Sequence, residues 1–480
     1  MRREFLVLVE VAVGGFVDRT EELEALRRWW DRRGAGLAMV WGRRRVGKTA
    51  ILQEFSQGRR LVFHTGAGRP VADELAVLSR ATQPVTSSQL RDLAARPFQD
   101  WDDALEFHAE LAADEPLLLV LDEFPELVKV SPQLPGVLRA FWDRARPHTQ
   151  LRLLLCGSAV RHMQAMREER APLYGRLDLG LLVHPFRPHE AALMLADLRP
   201  SEQALVYGLL GGMPLYLSWW DQQASVLQNL EQLIGRPGAP LLSEGQLVLA
   251  TEVDPGELPG PVLRAIAAGR TRYNEIRDAV RAEPSRTLDR LQELRLVERL
   301  LPVGDDPGRS RRRRYRAADN FLAFWLGLVE PYQAEIDRGL GATILPVVVD
   351  SLDDHMGPAW EEMFREHLRR LASAGALGEQ VVAVGRWWRD GSPELDAVVL
   401  QGRSQTPILA GEAKWARTVD GPTLLADLQR RASHLPVPVD DLRFALCARE
   451  EVARAPADVL TVTAASVFSS VLPAIPYRRP

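Results

Sequence analysis

Between Phe16 and His184, short apolar runs alternate with stretches in which apolar residues recur every three or four positions. The runs are GLAMVWG, RLVFHTG, LLLVLDEF, LRLLLCGS and LGLLVH. Runs this short and this apolar predict strands, and the helical periodicity between them predicts crossovers covering both faces of a mostly parallel sheet. Residues 200–232 read as helical and contain GGMPLYL, whereas GRPGAPLLSEG at 235–245 is rich in Gly and Pro and reads as a linker. Three amphipathic segments follow, PVLRAIAAG, YNEIRDAV and SRTLDRLQELRLV, and then two strand candidates, VERLLPV and RRRRYRAA, joined by GDDPGRS. Three helices and a basic hairpin predict a winged helix-turn-helix, with Ser285 capping the third helix. Beyond a helical connector, FLAFWLGLVEPYQAEIDRG, comes another α/β unit. It opens with a helix in PAWEEMFREHLRRLAS and continues through strands around VVAVGRWW, ELDAVVL and PILAGEAKW, a helix TLLADLQRRASHL and a strand RFALCA. No internal repeat is visible.

A chain of 480 residues exceeds one ordinary core, so two to four domains are expected. With 46% hydrophobic and 26% charged residues the composition is that of a globular protein. Cys156 and Cys447 are the two cysteines, both inside apolar runs, which argues against a disulfide framework and a thiolate zinc site and fits a reducing cytoplasm. No apolar stretch approaches the roughly 20 residues that span a bilayer. The opening MRREFLVLVEVAVGG imitates a signal peptide, but Glu10 interrupts its apolar part and no small-residue cleavage site follows. The net charge of −4 argues nothing about nucleic acid; its distribution does, because RSRRRRYR at 309–316 places six arginines in eight positions.

Candidate chemistry begins at GRRRVGKT, 42–49, which ends one apolar run and opens a helical one. A phosphate-binding loop needs glycine where a side chain would collide, and the helix that follows adds the positive end of its dipole. Gly42 and Gly47 fill those places; Val46, Gly47, Lys48, Thr49 and Ala50 would cradle ATP, with Lys48 on the β- and γ-phosphates and the Thr49 hydroxyl on Mg²⁺. In LLLVLDEF the apolar residues deliver Asp122 and Glu123 to a strand's C-terminal end, where open α/β sheets bind ligands. Asp122 would hold Mg²⁺ and Glu123 would polarise the attacking water. Ser158, at the end of LRLLLCGS, reads either as a sensor of the γ-phosphate or as a helix cap.

Together FVDRTEELEAL, GRRRVGKT, LLLVLDEF, LLLCGSAV, APLYGR and GGMPLYL resemble the archaeal-type ATPases, a prokaryotic family close to the signal-transduction ATPases with numerous domains. The resemblance implies that Arg19 lies near the nucleotide, that Arg176 is an arginine finger and that Pro214 lines the adenine pocket. An arginine finger supplied in trans would require a homo-oligomer. Asp18 departs from the pattern, since the family usually has glycine there. Independently of family, Arg176 also reads as a structural ion-pair partner.

In a winged helix the third helix can enter a major groove while the wing touches phosphates. Arg286 and Arg290 on that helix and Arg311, Arg312, Arg313 and Arg314 on the wing are the candidate DNA contacts. The competing reading makes the winged helix a packing module without nucleic acid. Further along, strand periodicity puts Glu394 and Asp396 on one face, and Glu412 and Lys414 on one face of the next strand. If those strands pair antiparallel, Asp396, Glu412 and Lys414 converge; the carboxylates can bind Mg²⁺ or Mn²⁺ while the lysine orients a water or stabilises charge on a phosphate. With Glu361 (ambiguous with Glu362) on a preceding helix and Gln429 on a following one, the constellation looks like the PD-(D/E)XK nuclease superfamily, to which the C-terminal domain of the archaeal-type ATPases is similar. Trp387, Trp388 and Trp415 read as base-stacking or core residues.

The expected architecture is α/β: an extension at 1–15, a P-loop parallel sheet at 16–195, a helical lid and linker at 196–245, a winged helix-turn-helix at 246–330 and a restriction-endonuclease-like α/β domain at 331–480. The expected function is an ATP-hydrolysing DNA-processing protein whose P-loop module controls a Mg²⁺-dependent nuclease. The alternatives are a nucleotide switch that binds DNA without cutting it and a regulator without nucleic acid.

Overall fold

The computed structural model describes residues 16–86, 91–252, 258–389 and 391–472. The extension expected at 1–15 lies outside the described residues. Two compact units emerge, divided between Pro185 and Phe186.

The first unit is built on five parallel strands: β1 (Gly36–Trp41), β2 (Leu61–Thr65), β3 (Leu117–Asp122), β4 (Leu151–Gly157) and β5 (Leu179–Leu182). Their order in the sheet is β2-β3-β4-β1-β5. Every residue of β1, β3 and β4 is buried, as expected of central parallel strands with helices on both faces, and this is why the sequence shows continuous apolar runs rather than alternation. Leu37, Met39, Leu119, Leu121, Leu153 and Leu155 pack with Phe124, Phe141 and Trp142 into one core.

The second unit opens with helices Pro188–Met194, Pro200–Leu210, Pro214–Ser218, Val226–Leu233 and Glu244–Glu252. Helix Pro188–Met194, expected at the end of the module at 16–195, packs within this unit. The linker expectation for 235–245 needs correction as well. Ala239, Leu241 and Leu242 are buried, and the Trp325 indole N–H donates to the Leu242 carbonyl at 2.8 Å, so the segment's Gly and Pro residues shape a packed turn.

Helices Pro259–Ala267, Tyr273–Val280 and Ser285–Glu293 follow, with an antiparallel pair of strands, β6 (Val297–Leu300) and β7 (Arg314–Ala317). Ser285 does not cap the third helix: it is the first helical residue, after Pro284, and its hydroxyl meets the Glu283 carboxylate and the Tyr273 hydroxyl instead.

The remainder forms a five-stranded sheet of β8 (Val381–Trp387), β9 (Leu395–Gln401), β10 (Thr406–Ala413), β12 (Arg443–Cys447) and β14 (Leu460–Val462) in the order β14-β12-β10-β9-β8, while β11 (Thr418–Asp420) and β13 (Glu451–Ala453) pair separately. The three strands β11, β13 and β14 are too short to carry a period in the sequence. β8–β9 and β9–β10 are antiparallel, and β10–β12 is parallel. The long helix Leu352–Ser373 lies on this sheet, and its close approach depends on Gly411 of β10, where a Cβ would stand 2.8 Å from the Phe364 ring. Among the described residues no helix is long and apolar enough to cross a membrane.

Candidate functional site

In the first unit, residues 42–47 connect β1 to helix Lys48–Ser56. A Cβ on Gly42 would stand 2.5 Å from the Val183 carbonyl oxygen, and Gly47 takes φ +91°, so both positions are closed to side chains for steric reasons. The Lys48 ammonium donates to the carbonyls of Gly42 and Arg43, each at 2.9 Å, which draws it back over the loop. Val46 is buried and Ala50 half-buried. Thr49 Oγ1 donates to Asp122 Oδ2 at 3.1 Å, and the Glu123 N–H donates to Asp122 Oδ1 at 3.0 Å. Two residues 73 positions apart in sequence thus present hard oxygen donors side by side, a donor set suited to Mg²⁺.

Glu123 adopts φ +47°, a left-handed conformation that costs a side chain roughly 1 kcal/mol or more. This turns its carboxylate to the Ser158 hydroxyl, which donates to Oε2 at 2.9 Å and to Oε1 at 3.2 Å. Because β4 separates β1 from β3 in the sheet, Ser158, just past β4, stands between the strand that leads to the loop and the strand that carries the carboxylates. Burial, with the Asp122 charge next, pushes the nearby Cys156 thiol well above its ordinary value, leaving it protonated and unreactive.

Arg19 is buried and donates to the carbonyls of Val46 and His184, each at 2.8 Å, and to Glu22 at 3.0 Å, so it buttresses the loop. Asp18 has φ +55°. That explains why glycine suits this position and why aspartate, one of the residues that tolerates left-handed backbone, can replace it. Arg176 forms a bidentate pair with Asp143, both contacts at 2.7 Å, and also reaches the Tyr174 carbonyl at 3.1 Å; it is held within its own unit. Pro214 begins helix Pro214–Ser218 of the second unit.

A family model for an ATPase domain predominantly from Archaea matches residues 16–219. This part of the chain is an archaeal-type ATPase domain. Residues 325–424 match a second model, for archaeal and bacterial proteins of unknown function. An uncharacterized protein of Methanocaldococcus jannaschii is 25% identical over 428 residues, covering 87% of this chain and 92% of the relative. An uncharacterized ATP-binding protein of the same organism is 46% identical over 46 residues, 10% of this chain and 78% of that one. Among solved structures, a Walker-type ATPase of Pyrococcus abyssi aligns with TM-score 0.51 and 21% identity, covering 65% of this chain and 96% of its own, a likeness of fold.

Beyond the ATPase domain, the second unit holds the carboxylate cluster. β9 and β10 pair antiparallel with Gly411 opposite Ala397, which brings Asp396 and Glu412 side by side. Asp396 Oδ2 accepts from the Ala413 N–H at 3.0 Å, and both carboxylates are buried. Lys414 Nζ lies 2.6 Å from Glu412 Oε1. Glu361 joins them through Arg386, whose Nη2 is 2.5 Å from Glu361 Oε2 and 4.0 Å from Asp396 Oδ1. The neighbouring Glu362 pairs with Arg316, Arg365 and Arg369, so of the two it is Glu361 that Arg386 links to Asp396.

Burial, and then the Asp396 charge, raise Glu412 to about 7; the same two causes raise Glu361. Burial acts to lower Lys414, but its contact with Glu412 outweighs this and raises it, so the ammonium stays charged. Among the described residues no group of three or more His, Cys, Asp and Glu side chains is arranged to hold a metal, so Asp396 and Glu412 stand as a pair.

Two expectations are corrected here. Gln429 is exposed, and Arg431 on the same helix reaches Glu412 Oε2 at 2.9 Å in its place. The arginines expected on a wing do not form one basic surface: Arg311 and Arg313 are exposed, whereas Arg312 pairs with Asp305 at 2.6 Å and Arg314 pairs with Glu394 while lying 4.8 Å over the Trp388 ring. On the third helix Arg286 is exposed and Arg290 pairs with Glu293 at 3.4 Å. Trp387 and Trp388 are buried in the core, whereas Trp415 is half-buried, edge-on to Trp360, with its indole N–H donating to Asp353 at 2.8 Å. Arg365, Arg386 and Arg431 were missed by the sequence reading. Arg365 was findable, lying four residues after Glu361 on one helix, but the other two carry no local signal.

Proposed function

We propose that the chain is an ATP-hydrolysing DNA-processing protein in which the ATPase domain controls a metal-dependent phosphodiester-cleaving site in the second unit. The observation that carries this reading is that Asp396 and Glu412 stand side by side across β9 and β10, with Lys414 on Glu412 and Glu361 linked to Asp396 through Arg386. At the ATP site, Thr49 and Asp122 would hold Mg²⁺, which lends charge to the phosphate oxygens, while Glu123 orients the attacking water. In the second unit, Asp396 and Glu412 fit Mg²⁺ or Mn²⁺ by donor type, with water and substrate oxygens completing the shell. Lys414, kept charged, would stabilise negative charge developing on the scissile phosphate rather than take up a proton. The three helices and hairpin of 259–317 would act as a winged helix-turn-helix with a phosphate-facing surface: the segment has fifteen arginines against eight carboxylates, although the chain as a whole is at −4. Arg286, Arg311 and Arg313 are its exposed candidates.

Incubating the protein with a panel of single-stranded, duplex and branched DNAs, with Mg²⁺ or Mn²⁺ and with and without ATP, tests this reading. Metal-dependent cleavage lost in Lys414→Ala supports it; cleavage that survives Lys414→Ala removes the nuclease assignment. The pairing of Arg386 and Arg431 with the carboxylates favours a second reading, a nucleotide switch that holds DNA without cutting it. In that case every DNA stays intact and Lys48→Ala changes DNA affinity or oligomerisation instead.

A further inference from the structure

The arginine-rich hairpin is tied to the carboxylate cluster by two ion-pair chains within the second unit. Arg316 of β7 lies 3.0 Å from Glu362 Oε2; Glu362 receives Arg365 at 2.8 Å, and Arg365 Nη1 donates to the main-chain carbonyl of Asp396 at 2.7 Å. Arg314 pairs with Glu394; Arg386 stands 4.0 Å from Glu394, and its guanidinium meets Glu361 and approaches Asp396. Both chains end at Asp396.

The backbone joins in. The Val303 N–H, in the loop between β6 and β7, donates to the Arg386 carbonyl at 2.8 Å on the outer edge of β8, and Val303 packs against the core of the C-terminal sheet. A Cβ at Gly385 would stand 3.0 Å from Val303 Cβ, so the loop is seated closely. An edge strand covered in this way is withheld from other partners.

We propose that the hairpin of β6 and β7 is a positioning clamp for the carboxylate cluster, with Arg316 and Arg314 acting through Glu362–Arg365 and Glu394–Arg386 to fix Asp396 and Glu361. Arg316 and Arg314 are positioning residues rather than phosphate ligands. This inference rests on the reading of Asp396 and Glu412 as the site carboxylates. Burial would raise the Glu362 carboxyl, but the charges of Arg316, Arg365 and Arg369 reverse this and hold it well below the usual range, so the chain is ionised throughout the neutral region. Outer groups that orient metal ligands change affinity by roughly 10- to 100-fold when removed.

The Ala413 amide donates to the Asp396 carboxylate and so reports its position without any metal. Hydrogen exchange at Ala413 is measured in Arg316→Ala, Arg314→Ala, Glu362→Gln and Arg316→Lys, with Arg311→Ala and Arg313→Ala as controls and thermal melting to establish folding. We expect about tenfold faster exchange in the first three, partial recovery in Arg316→Lys and no change in the controls. If Arg316→Ala fails to fold, Glu362→Gln breaks the same chain from its other side. Mn²⁺ binding followed by electron paramagnetic resonance should weaken about tenfold in the same three variants. Wild-type protein that binds no Mn²⁺ at this unit defeats the metal reading, and the exchange measurement still decides the clamp. Wild-type exchange at Ala413 in folded Arg316→Ala or Glu362→Gln, together with Arg314→Ala, overturns it.

Discussion

Ser158 Oγ donates to both carboxylate oxygens of Glu123, at 2.9 and 3.2 Å, and so ties the end of β4 to the carboxylate beyond β3. A hydroxyl in this place can hold the carboxylate toward the attacking water or exchange it for a phosphate oxygen. The first role would act on turnover rather than on affinity. Ser158→Ala should lower kcat for ATP about tenfold while leaving nucleotide affinity within about twofold, and Glu123→Gln should lower kcat by about 100-fold or more. Steady-state turnover combined with fluorescent-nucleotide binding measures both. Wild-type kcat in Ser158→Ala would reduce the contact to packing.

Arg176 is paired bidentately with Asp143 and also bonded to the carbonyls of Pro172 and Tyr174. The hydrogen bond to Asp143 raises its pKa above the ordinary arginine value and occupies the fork that a finger would offer to phosphate. We expect Arg176→Ala to change ATP turnover less than about threefold. A loss of two orders of magnitude, dependent on protein concentration, would reinstate the finger and require an oligomer.

Glu412 gives a pH dependence. Its folded pKa, about 7, lies above the ordinary 4.5, so the folded state binds a proton more readily than the unfolded state between those values. Stability therefore falls as pH rises through that window, by on the order of 3 kcal/mol for this group. Glu412→Gln, neutral at every pH, should gain melting temperature relative to wild type at pH 8 compared with pH 5. A difference between the two melting curves that is independent of pH would refute this assignment. Divalent metal at the same carboxylates should bind more tightly above pH 7 than below it, because the proton competes.

The alternating exposure of the arginines before β7 makes a separable prediction. Arg311 and Arg313 are exposed while Arg312 and Arg314 are committed to Asp305 and Glu394. Replacing Arg311 and Arg313 together by alanine should weaken DNA binding and reduce the slope of log affinity against log salt by about 2. Gel-shift titration at several salt concentrations reads this out. An unchanged slope would show that these side chains do not meet phosphates.

How much of this was legible beforehand depends on whether a feature is local. GRRRVGKT specifies its loop because Gly42 and Gly47 answer to backbone geometry within a few residues, and the fully apolar runs of β1, β3 and β4 announce strands covered on both faces. Asp396, Glu412 and Lys414 were visible as a pattern whose convergence depended on the antiparallel pairing of β9 with β10. The arginine cluster misled because Arg311, Arg312 and Arg313 precede β7 and obey no strand period; Asp305 takes Arg312 and Glu394 takes Arg314, and the sequence does not say which arginines have carboxylates behind them. Gln429 failed for a similar reason: a helix presents one face to the sheet, and Arg431 is on it.

By itself, then, the amino-acid order determined the phosphate loop, the carboxylates Asp122 and Glu123, the strand and helix content of the ATPase sheet and the pattern of Asp396, Glu412 and Lys414. All of these follow from short-range sterics and hydrophobic periodicity. Only the tertiary structure decided that Ser158 bonds Glu123, that Glu361 and not Glu362 meets Asp396 through Arg386, and that Arg314 and Arg316 turn inward. Those contacts join residues tens of positions apart, and which ion pairs form depends on the burial and approach of whole elements, an outcome that no local window contains.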